Sequence, residues 1–141
     1  MPTLKRAIQI ARIAHEGQYD KAGLPYIVHP AKVMINVSGQ LEKMVAILHD
    51  VVEDSAFTLD DLREEGFPPE VVDAVDALTK RPGETRIETA KRAALNLIAR
   101  TVKLVDNGLN MDLSRIPNPT EIDFARHREY EQVRAILLAA G

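Results

Sequence analysis

The stretch from Leu41 to Val52 limits the possible folds more than any other part of the chain. Met44, Val45, Ile47, Leu48, Val51 and Val52 cover more than one face, so a helix here must be buried on most sides. Yet it contains His49 and Asp50, and Glu53 and Asp54 follow directly. On a continuous helix His49 and Glu53 are four apart, as are Asp50 and Asp54, which puts the four on one side as two adjacent stripes. Burying three carboxylates together costs several kcal/mol per charge unless a cation or partner offsets them. A bound metal is the economical explanation. The alternative is an exposed helix end, with Glu53 and Asp54 in water and His49 hydrogen-bonded.

Helical spacing recurs around this segment. Leu4, Ala7, Ile8, Ala11 and Ala14 predict a first helix over Thr3–Glu16 with Gly17 as its stop. Gln18–Pro30 reads as a loop in which Pro30 opens a new helix, with His29 at its start. Thr58 caps Leu59–Glu65 with Asp61 in the capping-box position, Gly66 ends that helix, and Pro68-Pro69 starts another to about Thr79. Arg81-Pro82-Gly83 is a break. Thr85–Met111 reads as two helices with Asn96 as the candidate joint, and Phe124, Val133, Ile136 and Leu137 define a final amphipathic helix packing within the chain. No segment alternates with period two. The expected fold is all-α, one domain over residues 1–141, a bundle of about six to eight helices.

At 141 residues roughly 70% of the unfolded surface can be buried, so one core is expected. With 45% hydrophobic and 28% charged residues the chain has the composition of a self-folding globular protein. Zero cysteines exclude disulfides, a thiolate metal site and a cysteine nucleophile, so any metal takes nitrogen and oxygen ligands. The absence of a signal-like segment, or of an apolar run near about 18 residues, gives cytoplasmic location as the expectation, with no membrane partner. A net charge of −3 argues against nucleic-acid binding through a basic surface. Locally, however, Lys80, Arg81, Arg86, Lys91, Arg92, Arg100 and Lys103 stand against only Glu84 and Glu88, which makes a local anion site possible. For most of these seven, solvated helix faces are the expectation.

A second set of polar residues lies in Val102–Met111. Lys103, Asp106 and Asn110 share one helical face, while Val102, Val105 and Leu109 share another, so a further inward carboxylate is available. With Tyr26-Ile27-Val28-His29-Pro30 and His49-Asp50, these segments give the ordered pattern His, His-Asp, Asp, which resembles the HD phosphohydrolase superfamily. More narrowly, Ala14–Gln18, Gly23–Pro30, His49–Asp54 and Lys103–Asp106 resemble the hydrolase domain of RelA/SpoT proteins and the stand-alone small alarmone hydrolases, over roughly Ala14 to Met111.

That resemblance implies a helical enzyme hydrolysing the 3′-pyrophosphate of (p)ppGpp to GDP or GTP and pyrophosphate. It also implies one divalent metal, Mn²⁺, held by His29, His49, Asp50 and Asp106. Glu53 and Asp54 fall where the family's Glu-Asp pair serves the attacking water. Asn110 matches the asparagine near the bound nucleotide, and Lys21, Tyr26 and Lys103 are the remaining candidate substrate contacts. For Lys103 a structural ion pair with Asp106 is an equal alternative, and Tyr26 either stacks on a base or fills the core. His15 reads as a packed, hydrogen-bonded residue and His127 as solvated, which leaves one metal rather than two.

Two departures from the family pattern leave room for other substrates. Asp20-Lys21 stands where the family has Arg-Lys, and Asp112-Leu113 follows Met111 where longer enzymes continue with Arg and Thr. The alternatives are an HD phosphohydrolase for another nucleotide or small phosphorylated molecule, and a non-catalytic nucleotide-binding regulatory module. The sequence does not set the oligomeric state.

Overall fold

A computed structural model describes residues 3–20, 22–112, 114 and 116–140. Their regular structure is entirely helical: α1 (Leu4–Ala14), α2 (Val28–Ile35), α3 (Gln40–Leu48), the single turn α4 (Val51–Asp54), α5 (Leu59–Glu64), α6 (Pro69–Leu78), α7 (Arg86–Ala93), α8 (Leu97–Asn110) and α9 (Glu121–Ala139). The all-α expectation holds. Among the described residues the nearest thing to a strand is an isolated antiparallel bridge between Tyr19 and Pro25.

Local chemistry sets many of the boundaries. Thr3 caps α1 through its side chain, and Gly17 follows at φ +79°, a left-handed conformation that glycine adopts without strain. Thr58 with Asp61, and Thr85 with Glu88, form reciprocal capping boxes at α5 and α7. Asn96 is the joint between α7 and α8, its side chain accepting from the Ala99 amide at 2.9 Å.

The core is built around α3, which packs against α1, α2, α6 and α8. Val45, Ala46, Ile47 and Leu48 are buried there with Ala7, Ile10, Val33, Val71, Val75 and Val102. Fully burying each large aliphatic side chain contributes about 1.5–3 kcal/mol. A smaller cluster of Ala90, Ala94, Val133 and Leu137 docks α9 onto α7 and α8 of the same chain.

Two expectations are corrected. The helix expected over Leu41–Val52 breaks, because α3 stops at Leu48 and His49-Asp50 form a turn with Asp50 at φ −104°, ψ 0°. His49 Nδ1 takes the Ala46 carbonyl, the acceptor that a continuing helix would offer to the Asp50 amide. The two stripes inferred from an unbroken helix are therefore replaced by a corner. On α9, Phe124 is 42% exposed rather than core. The helix instead turns Asp123, Arg126, His127 and Tyr130 inward, a polar stripe at helical spacing from which Phe124 is offset.

Candidate metal centre and adjoining cleft

The corner after α3, the first turn of α2 and the middle of α8 meet at one buried cluster. His29 Nε2 lies 2.6 Å from Asp106 Oδ1, and His49 Nε2 lies 3.4 Å from the same oxygen and 3.1 Å from Asp50 Oδ2. One ligand atom each from His29, His49 and Asp106 falls within 4.8 Å of the others, and all three residues are buried. Helical spacing on α8 adds Lys103, whose Nζ is 3.2 Å from Asp106 Oδ2, and Asn110, whose Nδ2 donates to Oδ1 at 3.4 Å. Tyr26 donates its hydroxyl to Asp50 Oδ2 at 2.6 Å.

These residues fit a divalent cation. His49 directs Nδ1 at the Ala46 carbonyl, which in the neutral ring leaves the lone pair on Nε2, and that buried Nε2 has no aligned hydrogen-bond partner. An imidazole and carboxylate set of this kind suits Mn²⁺, Fe²⁺, Co²⁺ or Zn²⁺.

Electrostatics follow from the crowding. Burial opposes charge on His49, but Asp50 and Asp106 outweigh it and hold the imidazolium pKa well above the usual value. Burial would also raise Asp106, yet Lys103, His29 and His49 together hold it well below the usual carboxylate range. Lys103 is raised, as Asp106 and Asp50 overcome its own desolvation. Burial and the Asp50 charge push the Tyr26 hydroxyl far up, so it remains a donor. Glu53 is raised by partial burial and then by Asp50 and Asp54, and Asp54 by partial burial and then by Asp50.

The cluster forms the floor of a cleft of about 750 Å³. Tyr26, His29, His49, Asp50, Glu53, Lys103, Asp106 and Asn110 all line it. Asp54 is exposed on the same turn as Glu53, and its carbonyl accepts from Gln18 Nε2 at 2.8 Å. Lys21 lies outside the described residues. His15 is buried, its Nδ1 2.9 Å from Gln18 Oε1, as a packed residue would be.

Three other cations line the cleft, two of them from the basic stretch whose charge makes a local anion site possible and one that the sequence does not single out. Lys80 and Arg86 belong to the stretch expected to be mostly solvated, and Arg126 comes from α9. Arg86 pairs with Glu129 and lies 5.0 Å over the Tyr130 ring. His127, expected in solvent, also lines the cleft, 27% exposed and 2.9 Å from Glu131. The period of Asp123, Arg126, His127 and Tyr130 is the sequence signal that could have found this wall. Arg81 and Arg92 face away, tied to Asp76 and Glu84.

No family model matches the chain. Among curated proteins it is 44% identical over 86 residues to a guanosine-3′,5′-bis(diphosphate) 3′-pyrophosphohydrolase of Haemophilus influenzae, covering 56% of this chain and 13% of that protein. It is 33% identical over 147 residues to a probable GTP pyrophosphokinase of Mycobacterium leprae, covering 95% of this chain and 18% of the relative. The bifunctional (p)ppGpp synthase/hydrolase SpoT of Escherichia coli is 40% identical over 81 residues, with coverage of 55% and 11%. The chain thus spans less than a fifth of the length of these relatives. Among solved structures, one described as "A metazoan ortholog of SpoT hydrolyzes ppGpp and plays a role in starvation responses" superposes with a TM-score of 0.77 at 24% identity, covering 99% of this chain and 86% of that one. In fold the chain is all-α and like that solved structure. In sequence it is similar to (p)ppGpp 3′-pyrophosphohydrolases and to SpoT.

Proposed function

We propose that the chain is a cytoplasmic, metal-dependent phosphohydrolase that removes the 3′-pyrophosphate of (p)ppGpp, leaving GDP or GTP and pyrophosphate. One Mn²⁺ would be held by His29, His49, Asp50 and Asp106. The observation that carries this reading is the buried meeting of His29, His49 and Asp106, with the half-buried Asp50 3.1 Å from His49, at the floor of a cleft whose walls bear Lys80, Arg86, Lys103 and Arg126. A cavity of that size falls in the range of small-molecule sites, and four cations suit a substrate with several phosphates.

When bound, the metal supplies Lewis-acid polarisation of the phosphoryl group and a water of lowered pKa. This chain's own residues do the rest. Glu53, made more basic than an ordinary carboxylate by burial and by Asp50, accepts the proton of the attacking water. Asp54 sustains that basicity through its charge. Lys103, anchored on Asp106, offers positive charge to the phosphate, and as the water oxygen bonds to phosphorus the bond to the nucleoside 3′-oxygen breaks, the proton taken up by Glu53 being passed on to that oxygen.

A second reading, hydrolysis of a different small phosphorylated molecule, is favoured by Asp20. Its Oδ1 is fixed by the Ala22 and Leu24 amides at 2.9 Å each, placing a carboxylate on the cleft rim. Incubation with Mn²⁺ and a panel of ppGpp, pppGpp, pppApp and deoxynucleotides tests both readings, alongside Asp50→Ala and Glu53→Ala. Turnover of ppGpp that survives Asp50→Ala overturns the metal assignment. Consumption of another panel member alone selects the second reading.

A further inference from the structure

The proposed ligands differ in how firmly this chain holds them. The His49 ring is fixed through Nδ1 on Ala46, and Asp106 receives His29, Lys103 and Asn110. Asp50 sits on the corner between α3 and α4, where no helix fixes its direction. Apart from its neighbour His49, the side chain that reaches its carboxylate among the described residues is Tyr26. We infer that Tyr26 is a positioning residue for Asp50, its hydroxyl holding the carboxylate beside His49 for the metal. This inference rests on the metal-site reading above.

Tyr26 is itself braced. Its backbone amide donates to the Gln18 carbonyl at 2.8 Å, and its ring centroid lies 4.9 Å from that of His15. His15 is held by Gln18 Oε1, while Gln18 Nε2 donates to the carbonyls of Ala14 and Asp54. The end of α1, the following loop and the end of α4 are therefore stitched together behind the Tyr26 ring. A hydroxyl donating to an ionised carboxylate makes a bond about twice as strong as a neutral pair, and it still leaves lone pairs of Asp50 for an ion. Tyr26 thus acts on the metal through Asp50, a different task from stacking on a base.

Titration of Mn²⁺ into the metal-stripped full chain by calorimetry, with no nucleotide present, tests this with Tyr26→Phe. The substitution keeps the ring and its packing on His15 and removes one oxygen, and circular dichroism checks that the fold is unchanged. The expected result is about 10-fold or greater loss of Mn²⁺ affinity, the range for groups that orient a ligand, with the KM for ppGpp at saturating Mn²⁺ close to that of the unsubstituted protein. Mn²⁺ affinity within twofold of the unsubstituted protein overturns the inference and leaves the metal site standing. A raised KM at saturating Mn²⁺ also overturns it, by assigning the hydroxyl to the substrate. Failure of the unsubstituted chain to bind Mn²⁺ overturns the metal site and this inference together.

Discussion

Asp106 is the residue on which the cluster converges, since His29, the Asn110 amide and the Lys103 ammonium all bond to its two oxygens and His49 Nε2 lies 3.4 Å away. Asp106→Asn removes the charge that these groups share and replaces one oxygen with a donor facing Lys103. We expect Mn²⁺ binding by calorimetry to weaken by roughly 100-fold or more, beyond what loss of an outer-shell partner costs. Glu53 makes the opposite prediction. It lines the cleft without touching the cluster, so Glu53→Gln should bind Mn²⁺ as before while turnover of ppGpp falls by about 10²–10⁴-fold, the usual worth of a positioned base. Mn²⁺ affinity and single-turnover rates, measured on both variants, separate a ligand from a base.

Among the elements, the joint between α7 and α8 shows what local chemistry decides. Asn96 satisfies the Ala99 amide at the start of α8, and Asn96→Ala should destabilise the protein by about 1 kcal/mol in a urea unfolding experiment. Such caps are legible in sequence because the donor and acceptor are three residues apart. The break after Leu48 was not legible, since the Ala46 carbonyl goes to an imidazole whose placement depends on α2 and α8. The loop before α7 behaves like a clasp: Glu84 accepts from Arg92, the Arg81 amide and Thr89, and Arg92 also reaches the carbonyls of Asp76, Ala77 and Thr79. The bond from Arg92, then that from the Arg81 backbone, holds the Glu84 carboxyl at about 2, below its ordinary value of 4.5. A depressed folded pKa gives stability that is present above 4.5 and lost as pH falls from there towards 2. Glu84→Gln should therefore melt lower at neutral pH and lose less on acidification through that window, as followed by thermal scans at stepped pH.

For the whole molecule, the all-α bundle was legible because apolar side chains recur at helical spacing in nearly every segment, whereas the cleft was not. Its far wall is a polar stripe on α9, more than a dozen residues past Asn110, and apolar periodicity cannot register it. What joins that wall to the floor is α8, which packs against both α3 and α9. The proposed ligands come from α2, the α3–α4 corner and α8, so one ion would bridge elements far apart in the chain. An ion bound by the folded state and not the unfolded one stabilises by mass action, about 2.7 kcal/mol at 100 times its Kd. At this chain length that corresponds to a melting temperature higher by roughly 5–15 °C. Scanning calorimetry of the metal-stripped chain should show this rise on adding Mn²⁺ and its reversal with EDTA. The same addition to Asp106→Asn should leave the transition in place. An equal rise in both proteins would mean that the ion acts elsewhere on the surface, and no rise in either would remove the bridge between α2, the corner and α8 from the account of this fold.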